Sequence, residues 1–291
     1  MAAMSRAGGH TIGRMYTSMG VVNVTPDSFS DGGLFLDADS AVAHGERLVA
    51  DGATILDVGG QSSRPGAEPV PEAVELERVV PVMRRLAATE TARLSIDTSK
   101  FAVAEAALEA GATIVNDVTA FRSAPELAGL VADRGATCCL MHMRGEPRTM
   151  QDDPRYDDVV SDVKGFLERR LAFAVGEGIR EEEVWLDPGI GFGKTVEHNL
   201  ELLRRLDEIC AIGRPVVVGT SRKGFLGQIT GRSEGERLAG TIATNVMALE
   251  RGAAVFRVHD VREVGDALAV AAATVGPSGG LAADPPQGDS R

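Results

Sequence analysis

The sequence predicts a single (β/α)8 barrel, and three observations support this fold class. Eight short, apolar and largely β-branched runs recur along the chain, each followed by a loop and then an amphipathic stretch. The runs are almost continuously apolar, which is typical of parallel strands buried on both faces. A polar residue stands at the carboxyl end of nearly every run. The predicted strands are Met19–Val24, Thr54–Val58, Leu94–Asp97, Ile114–Val118, Thr137–Met141, Val184–Asp187, Val216–Gly219 and Val255–Val258.

An open, doubly wound sheet would show the same local alternation of strand and helix. The count of eight units favours a closed barrel, as do the long irregular segments after the first two strands, where a barrel places its active site. Helices are predicted where apolar residues recur at three- and four-residue spacing, several of them followed by a terminating glycine. These helices are Ala38–Asp51, Phe101–Ala110, Ala128–Arg134, Asp157–Gly176, Glu201–Cys210 and Leu238–Arg251.

The composition indicates one large core and an acidic surface. The chain has 291 residues, of which 44% are hydrophobic and 25% charged, and its formal net charge is −12. This charge argues against nucleic-acid and anionic-membrane partners. No apolar run reaches the roughly 18 residues that span a bilayer, and no signal peptide is evident, so a cytoplasmic location is expected.

We predict a single domain over residues 15–275, between a loose arm at 1–14 and a disordered tail at 276–291 that is rich in Gly, Pro and Asp. Three cysteines, Cys138, Cys139 and Cys210, lack metal-ligand spacing. They are predicted to be reduced, buried thiols.

Polar residues end almost every predicted strand. In a barrel the carboxyl ends of all strands form one ring, so residues far apart in sequence converge on one pocket. Each residue alone could be an ordinary cap or turn residue, but their joint placement favours a functional site. The strand-end residues are Asn23, Asp57, Asp97, Asn116, Asp117, Met141, His142, Asp187, Ser221, Arg222, Lys223, Arg257, His259 and Asp260.

The loops after the first two strands carry ligand-type residues. Asn23, Asp27 and Asp31 offer oxygen ligands suited to Mg²⁺, although by spacing alone an ordinary Asx turn is favoured. The second loop, residues 59–66, combines glycines and hydroxyls with Arg64, which suits an anion such as phosphate. For this loop a lid without a ligand is equally supported.

Cations follow the seventh and eighth strands, where barrels often bind phosphate or another polar group. Arg257 and His259 alternate with apolar residues and can both point into the barrel mouth, while a surface charge pair is the alternative. Asp97, Asn116 and Asp187 end apolar strands, where burial is expected. Such acceptors match the amino and ring N–H groups of a heterocycle; a structural ion pair with Lys223 or Arg257 is the alternative.

The motifs, taken in order, resemble those of the dihydropteroate synthases from about Met19 to Thr274. The segments that carry this resemblance are MGVVNVTPDSFSDGG from Met19, DVGGQSSRPGA from Asp57, SIDTSK from Ser95, NDV from Asn116, LMHMRG from Leu140, DPGIGFGKT from Asp187, GTSRKGFLG from Gly219 and RVHD from Arg257. The resemblance implies a reaction in which the amine of 4-aminobenzoate displaces pyrophosphate from 6-hydroxymethyl-7,8-dihydropterin pyrophosphate.

The resemblance also implies roles for individual residues. The pterin edge would be held by Asp97, Asn116, Asp187 and Lys223, with Met141 and Phe192 lining the pocket and Arg257 stacked on the ring, facing the pyrophosphate. Asn23 would ligate Mg²⁺, and Asp27 and Asp31 would lie on a mobile first loop. The pyrophosphate would be bound by Ser63, Arg64 and His259, and the aminobenzoate bordered by Ser63, Pro65, Phe192 and Gly224, with Gly219 also at the substrate site. A homodimer is the expected assembly.

Departures from the family pattern are few. Gln61 stands where Glu is common, Ser63 replaces a common Thr, and Gly224 follows the lysine where a larger side chain is frequent. A methyltetrahydrofolate-dependent methyltransferase would keep the pterin acceptors without the pyrophosphate loops, and a non-catalytic pterin-binding paralogue should lack Arg64, Lys223 or Asn23. Both alternatives are disfavoured because these features are all present.

Overall fold

Eight parallel strands form one sheet in a computed structural model that describes residues 16–25, 34–62, 66–146 and 148–275. The strands are β1 (Thr17–Asn23), β2 (Ile55–Gly59), β3 (Arg93–Asp97), β4 (Ile114–Asp117), β5 (Thr137–Met141), β6 (Val184–Asp187), β7 (Val217–Val218) and β8 (Val255–Val258). Each predicted strand is present within two residues at either end. The predicted arm at 1–14 and the predicted tail at 276–291 lie outside the described residues.

The sheet closes into a barrel, which confirms the predicted fold class and excludes the open doubly wound alternative. Its strand order is β6-β5-β4-β3-β2-β1-β8-β7, so strands that are neighbours in sequence are neighbours in space. The remaining gap between β6 and β7 is bridged by Leu186 and Val216, and the Leu186 amide donates to the Pro215 carbonyl at 2.9 Å. The seventh strand is shorter than predicted because only Val217 and Val218 pair with β8.

Ten α-helices surround the barrel within the described ranges. They are α1 (Leu34–Ala50), α2 (Glu72–Ala87), α3 (Phe101–Glu109), α4 (Leu127–Arg134), α5 (Val159–Gly176), α6 (Val196–Arg204), α7 (Leu206–Cys210), α8 (Gly224–Thr230), α9 (Leu238–Glu250) and α10 (Val261–Val275). Helices α2, α8 and α10 were not predicted. No helix in these ranges is long and apolar enough to cross a membrane.

The single predicted helix Glu201–Cys210 is wrong. A capping box begins α6 earlier, since the Thr195 hydroxyl accepts from the His198 amide while the His198 ring accepts from the Thr195 amide. Arg205, with φ −111° and ψ 30°, then interrupts the helix, and α7 follows as a separate short element. Because the cap uses a histidine at the third helical position, the usual Glu or Gln signal is absent from the sequence.

Alternation along each strand divides the buried residues into two layers. On β8, Phe256 packs outward against the helices while Arg257 points inward. Cys138 lies in the outer layer and Cys139 in the barrel interior, so both are core thiols as predicted; Cys210 is only partly buried, at the end of α7, which corrects the prediction for it. The interior floor is formed by Met19, Ile55, Ile114, Cys139, Trp185, Val217 and Val255.

The turn after β4 is held by a buried carboxylate. Asp117 accepts from the Thr119 amide at 2.7 Å, the Thr119 hydroxyl at 2.8 Å and the Phe121 amide at 2.7 Å. These bonds stabilise Ala120 and Phe121 at φ 53° and 60°, a left-handed conformation that side chains rarely adopt. Asp117 therefore serves the turn, and not the pocket as the strand-end pattern predicted.

Replacing Asp117 with alanine should lower the free energy of unfolding by about 3 kcal/mol or more. The change leaves buried N–H groups without acceptors and removes the hydrogen bonds that hold two residues in a left-handed conformation. Urea unfolding of the variant measures the loss, with Asp133→Ala on the exposed face of α4 as the control, expected to change stability by less than about 0.5 kcal/mol. Equal stability of the two variants would show that the carboxylate does not hold the turn.

Candidate active site

A buried ion-pair cluster lies at the carboxyl end of the barrel. Arg257 donates from Nε to Asp57 Oδ2 at 2.6 Å and from Nη2 to Asp97 Oδ2 at 2.8 Å. Asp57 is fully buried and also accepts from Ser95 Oγ at 2.6 Å and Asn116 Nδ2 at 3.1 Å. One guanidinium thus joins the ends of β2, β3 and β8, and the asparagine adds β4. Asp57 was recognised as a strand-end residue, but sequence reasoning gave it no role.

Asp97 forms an ion pair with Arg257, which was the structural alternative to a ligand-binding role, yet this pair leaves one oxygen of Asp97 available as an acceptor. Its side chain is 12% exposed, and Oδ1 has no hydrogen-bond partner among the described residues. Burial raises the pKa of Asp97 to about 7; the Arg257 charge opposes this rise and the Asp57 charge adds to it. As the pH falls through 7, this carboxyl takes up a proton and ceases to be an acceptor-only group.

Asn116 and Asp187 show the same division between a bonded and an unbonded polar atom. Because a carboxylate only accepts hydrogen bonds, the contact with Asp57 orients the Asn116 side chain with Nδ2 toward Asp57 and Oδ1 pointing away from it. Asp187 Oδ1 accepts from the Gly189 amide at 2.6 Å, and Oδ2 has no partner within the described ranges. Burial raises the pKa of Asp187, whereas the Gly189 amide and the Lys223 charge lower it. No ion pair within 4.0 Å links Asp187 to another described residue.

Apolar side chains border these acceptors on the β5 and β6 side. Met141 and Phe192 belong to one buried cluster with Met143 and Met150. The Lys223 ammonium lies 3.9 Å from the centre of the Phe192 ring, a cation–π contact that places a positive charge at the pocket wall. The predicted residues Met141, Phe192 and Lys223 therefore lie on the same side of the site as Asp187.

Residues that follow β7 contact residues that follow β8, but only some of the predicted residues lie at the pocket. His259 Nδ1 lies 3.0 Å from Ser221 Oγ, which also accepts from the His259 amide at 3.2 Å. Ser221 is a buried polar residue to which sequence reasoning gave no role of its own. Arg222 forms an ion pair with Asp260, so only one of the two predicted cations here, Lys223, reaches the pocket wall.

Two predicted glycine positions frame this region. Gly219 follows β7, and a Cβ added there would lie 3.9 Å from the Cβ of Arg257, which places its backbone beside the cluster. Gly224 begins α8 and is exposed, with no atom within 4 Å of an added Cβ. The open space at Gly224 fits a border position for a ligand.

The structure also explains how the chain accommodates Gln61. Gln61 Oε1 accepts from Lys100 Nζ at 2.7 Å and from the Val70 amide at 3.1 Å. Lys100 also pairs with the buried carboxylate of Glu75. A neutral amide at position 61 leaves one carboxylate for one ammonium, whereas a glutamate would add a second negative charge.

Several predicted site residues lie outside the described residues: Asp27, Asp31, Ser63, Arg64 and Pro65. Asn23 is described and ends β1, where it pairs with Gly59. Its side chain is partly exposed and has no hydrogen-bond partner among the described residues. Within those ranges no group of three His, Cys, Asp or Glu residues could hold a metal ion.

His142 does not face the pocket, which corrects the strand-end prediction. Its ring is buried against Phe166, with the ring centroids 4.9 Å apart, and Nδ1 lies 2.9 Å from the Nζ atom of Lys194. Lys194 is 3% exposed and was not predicted as a functional residue. A lysine that follows a glycine-rich loop gives no sequence signal that its ammonium is buried.

The arrangement can bind a planar molecule, and among the described residues the thiol inside the barrel is not available as a nucleophile. Three residues that end β3, β4 and β6 at the same end of the barrel each keep an acceptor atom without a partner among the described residues, and Arg257 and the Lys223–Phe192 contact lie at this end too. Cys139, the thiol nearest this end of the barrel interior, is fully buried, and burial raises its pKa far above the usual range. The charged and hydrogen-bonding groups described here suit catalysis by positioning and electrostatics.

Comparisons with known proteins identify relatives of this chain. A family model described as a pterin binding enzyme matches residues 19–259. Dihydropteroate synthase of Escherichia coli strain K12 is 44% identical over 257 residues, covering 88% of this chain and 91% of the relative.

Solved structures show the same likeness. Dihydropteroate synthase of Xanthomonas albilineans with 4-aminobenzoic acid is 48% identical, with a TM-score of 0.83 and coverage of 88% of this chain and 91% of that one. The same enzyme in complex with 7,8-dihydropteroate is 45% identical, with a TM-score of 0.79 and coverage of 88% and 92%. The chain therefore belongs to the dihydropteroate synthase family of pterin-binding enzymes.

Proposed function

We propose that this chain condenses 6-hydroxymethyl-7,8-dihydropterin pyrophosphate with 4-aminobenzoate in a Mg²⁺-dependent reaction at the barrel mouth. One observation supports this most strongly. Asp97, Asn116 and Asp187 each use one polar atom to bond within the protein and keep an acceptor oxygen without a partner among the described residues. The amino and ring N–H groups of a pterin are donors that complement three such acceptors.

The other pocket residues take the remaining parts of the substrates. Met141 and Phe192 line the pterin, and Lys223 adds a donor at its edge. Arg257, already fixed by two carboxylates, presents its guanidinium to the ring and the leaving group. His259, Ser63 and Arg64 bind the pyrophosphate, and Ser63, Pro65, Phe192, Gly219 and Gly224 border the aminobenzoate; Asp27 and Asp31 belong to the first loop.

The described residues fit a metal that is shared with the substrate. Asn23 contributes an amide oxygen at the strand end, and its side chain has no hydrogen-bond partner among the described residues. Mg²⁺ commonly binds one or two protein oxygens together with water and substrate phosphates, so one amide oxygen is a sufficient protein ligand. When bound there, Mg²⁺ would neutralise negative charge on the pyrophosphate.

The mechanism we propose is dissociative. Pyrophosphate leaves first, and the electron-rich pterin ring stabilises the cation at its methylene carbon. Arg64, Arg257 and His259 offset the charge that develops on the leaving group. The aminobenzoate nitrogen then forms the new C–N bond and loses a proton. The first two loops exclude water, which would otherwise convert the cation to an alcohol.

Two broader properties rest on the family resemblance. We propose a homodimeric assembly and a cytoplasmic location, with small-molecule substrates and with neither nucleic acid nor a membrane as a partner. The net charge of −12 agrees with the last point.

The purified chain should release pyrophosphate and form 7,8-dihydropteroate from the two substrates, and EDTA should abolish the reaction until Mg²⁺ is restored. The metal is required because pyrophosphate is a poor leaving group while its charge is uncompensated. Coupled pyrophosphate detection and chromatography of the pterin product measure both outcomes. Asn23→Ala should need more Mg²⁺ for half-maximal rate. Full activity in metal-free buffer would exclude the role given to Mg²⁺.

Replacing Asp187 with asparagine should weaken binding of a pterin analogue about tenfold or more without unfolding the protein. Asparagine can still accept from the Gly189 amide through Oδ1, so the loop is kept, but its NH₂ group then meets a pterin donor. Calorimetric titration gives the affinity, and a melting curve checks the fold.

The matched control for this variant is Asp133→Asn, which makes the same chemical change on the exposed face of α4. It should leave pterin affinity unchanged. If the Asp187 variant also bound the analogue as well as the unmodified protein, the assignment of this carboxylate to the pterin edge would be wrong.

A further inference from the structure

The loop between β6 and α6 is fixed by side-chain hydrogen bonds to several of its backbone groups. The Gly191 amide donates to Asn199 Oδ1 at 2.7 Å. Its carbonyl accepts from Gln151 Nε2 at 2.7 Å, and the Gly193 carbonyl accepts from the Tyr156 hydroxyl at 2.7 Å. These contacts come from α6 and from the segment between β5 and α5, so the loop is held from two sides.

Three glycines give this loop its shape. Gly189, Gly191 and Gly193 have φ values of 66°, 85° and 61°, which side chains rarely adopt. A Cβ at Gly189 would lie 1.9 Å from the His142 carbonyl oxygen, so the loop after β6 meets the loop after β5 backbone to backbone. The close approach gathers several carbonyl groups around one point.

The Lys194 ammonium occupies that point. Its Nζ atom lies 2.9 Å from the Gly189 carbonyl oxygen, 3.0 Å from the Phe192 carbonyl oxygen and 2.9 Å from His142 Nδ1. Three N–H donors therefore meet three acceptors, and a weaker fourth contact reaches the His142 carbonyl at 3.4 Å. No carboxylate of the described residues lies within 4.0 Å, so backbone dipoles and one ring nitrogen solvate the ammonium. Burial lowers the pKa of Lys194 to about 7, so the group carries its charge below that pH.

His142 is suited to the acceptor role. Burial, assisted by the charge of Lys194, lowers the pKa of His142 to about 2. The ring therefore stays neutral at ordinary pH. The contact with the ammonium requires the lone pair at Nδ1, which places the ring proton on Nε2.

We propose that Lys194 is a positioning residue that holds Phe192 in place at the substrate pocket. This inference rests on the proposed function. Lys194 binds the Phe192 carbonyl directly, and the Phe192 ring in turn contacts the Lys223 ammonium. Asp187 is held differently, by strand pairing with Met141 and by the Gly189 amide. Loss of the buried ammonium therefore displaces the loop more than the strand end.

This difference between loop and strand gives the proposal a kinetic signature. The family resemblance places Phe192 at the border of the aminobenzoate, whereas Asp97, Asn116 and Asp187 hold the pterin. Lys194→Met should raise KM for 4-aminobenzoate by about tenfold, because two buried carbonyl groups lose their donor and the ring moves. KM for the pterin pyrophosphate should change less than about threefold.

Steady-state kinetics with each substrate varied in turn tests this, with Lys164→Met on α5 as the matched control. The control should leave both KM values unchanged. A purely structural lysine would lower the melting temperature but leave the two KM values of the folded variant equal to those of the control, and that result would overturn the proposal. If Lys194→Met fails to fold, His142→Leu serves in its place, because it removes one acceptor of the ammonium. This variant should also raise KM for 4-aminobenzoate more than KM for the pterin pyrophosphate, but by a smaller factor.

A second measurement needs no activity and so separates this proposal from the proposed function. The chain has five histidines, and ¹⁵N NMR of histidine-labelled protein resolves their ring nitrogens. The His142 signal, identified by its loss in His142→Leu, should show an unprotonated, hydrogen-bonded Nδ1 from pH 5 to pH 6, where Lys194 is an ammonium, and should shift in Lys194→Met. Protonation of Nδ1 in this range would contradict the contact with Lys194 even in an active enzyme.

Discussion

The site depends on one guanidinium that is shared between two carboxylates. Arg257 reaches inward from β8 and bonds to Asp57 on β2 and Asp97 on β3. Burying these charges costs free energy, which only close and complete pairing offsets. Ser95 and Asn116 complete the pairing by donating to Asp57. The cluster therefore determines the orientation of polar groups on β2, β3, β4 and β8.

This constraint explains why the pocket presents acceptors. Asp57 is buried and accepts hydrogen bonds from its neighbours. Asp97 and Asn116 are each left with one side-chain oxygen that has no partner among the described residues. On β6, the Gly189 amide donates to one oxygen of Asp187 and leaves the other oxygen without a partner among the described residues. Two unrelated sets of contacts thus produce the same result. The pocket is preorganised for a ligand with several donors along one edge, before any ligand binds.

The fold and the ring of strand-end residues could be predicted because both follow from short-range patterns. Apolar runs and their terminal polar residues are visible in a one-dimensional sequence, and a closed barrel brings the ends together. The pairings could not be predicted, since Asp57 and Arg257 are 200 positions apart and either could have faced a ligand. The contact between Lys194 and His142 was missed for the same reason, and Asp117 and His142 were misassigned because residues that face away from the pocket look like pocket residues at a strand end.

The most direct test of the central claim is the titration of the Asp97 carboxyl carbon by ¹³C NMR, in aspartate-labelled wild type and in Arg257→Met. Loss of the signal in Asp97→Asn identifies it. We expect a midpoint near 7 in the wild type, because the carboxyl is buried beside Asp57, and a higher midpoint in Arg257→Met, because the compensating cation is gone. A midpoint near 3.8 in both proteins would show that Arg257 and the two carboxylates do not form the buried cluster on which the pocket depends.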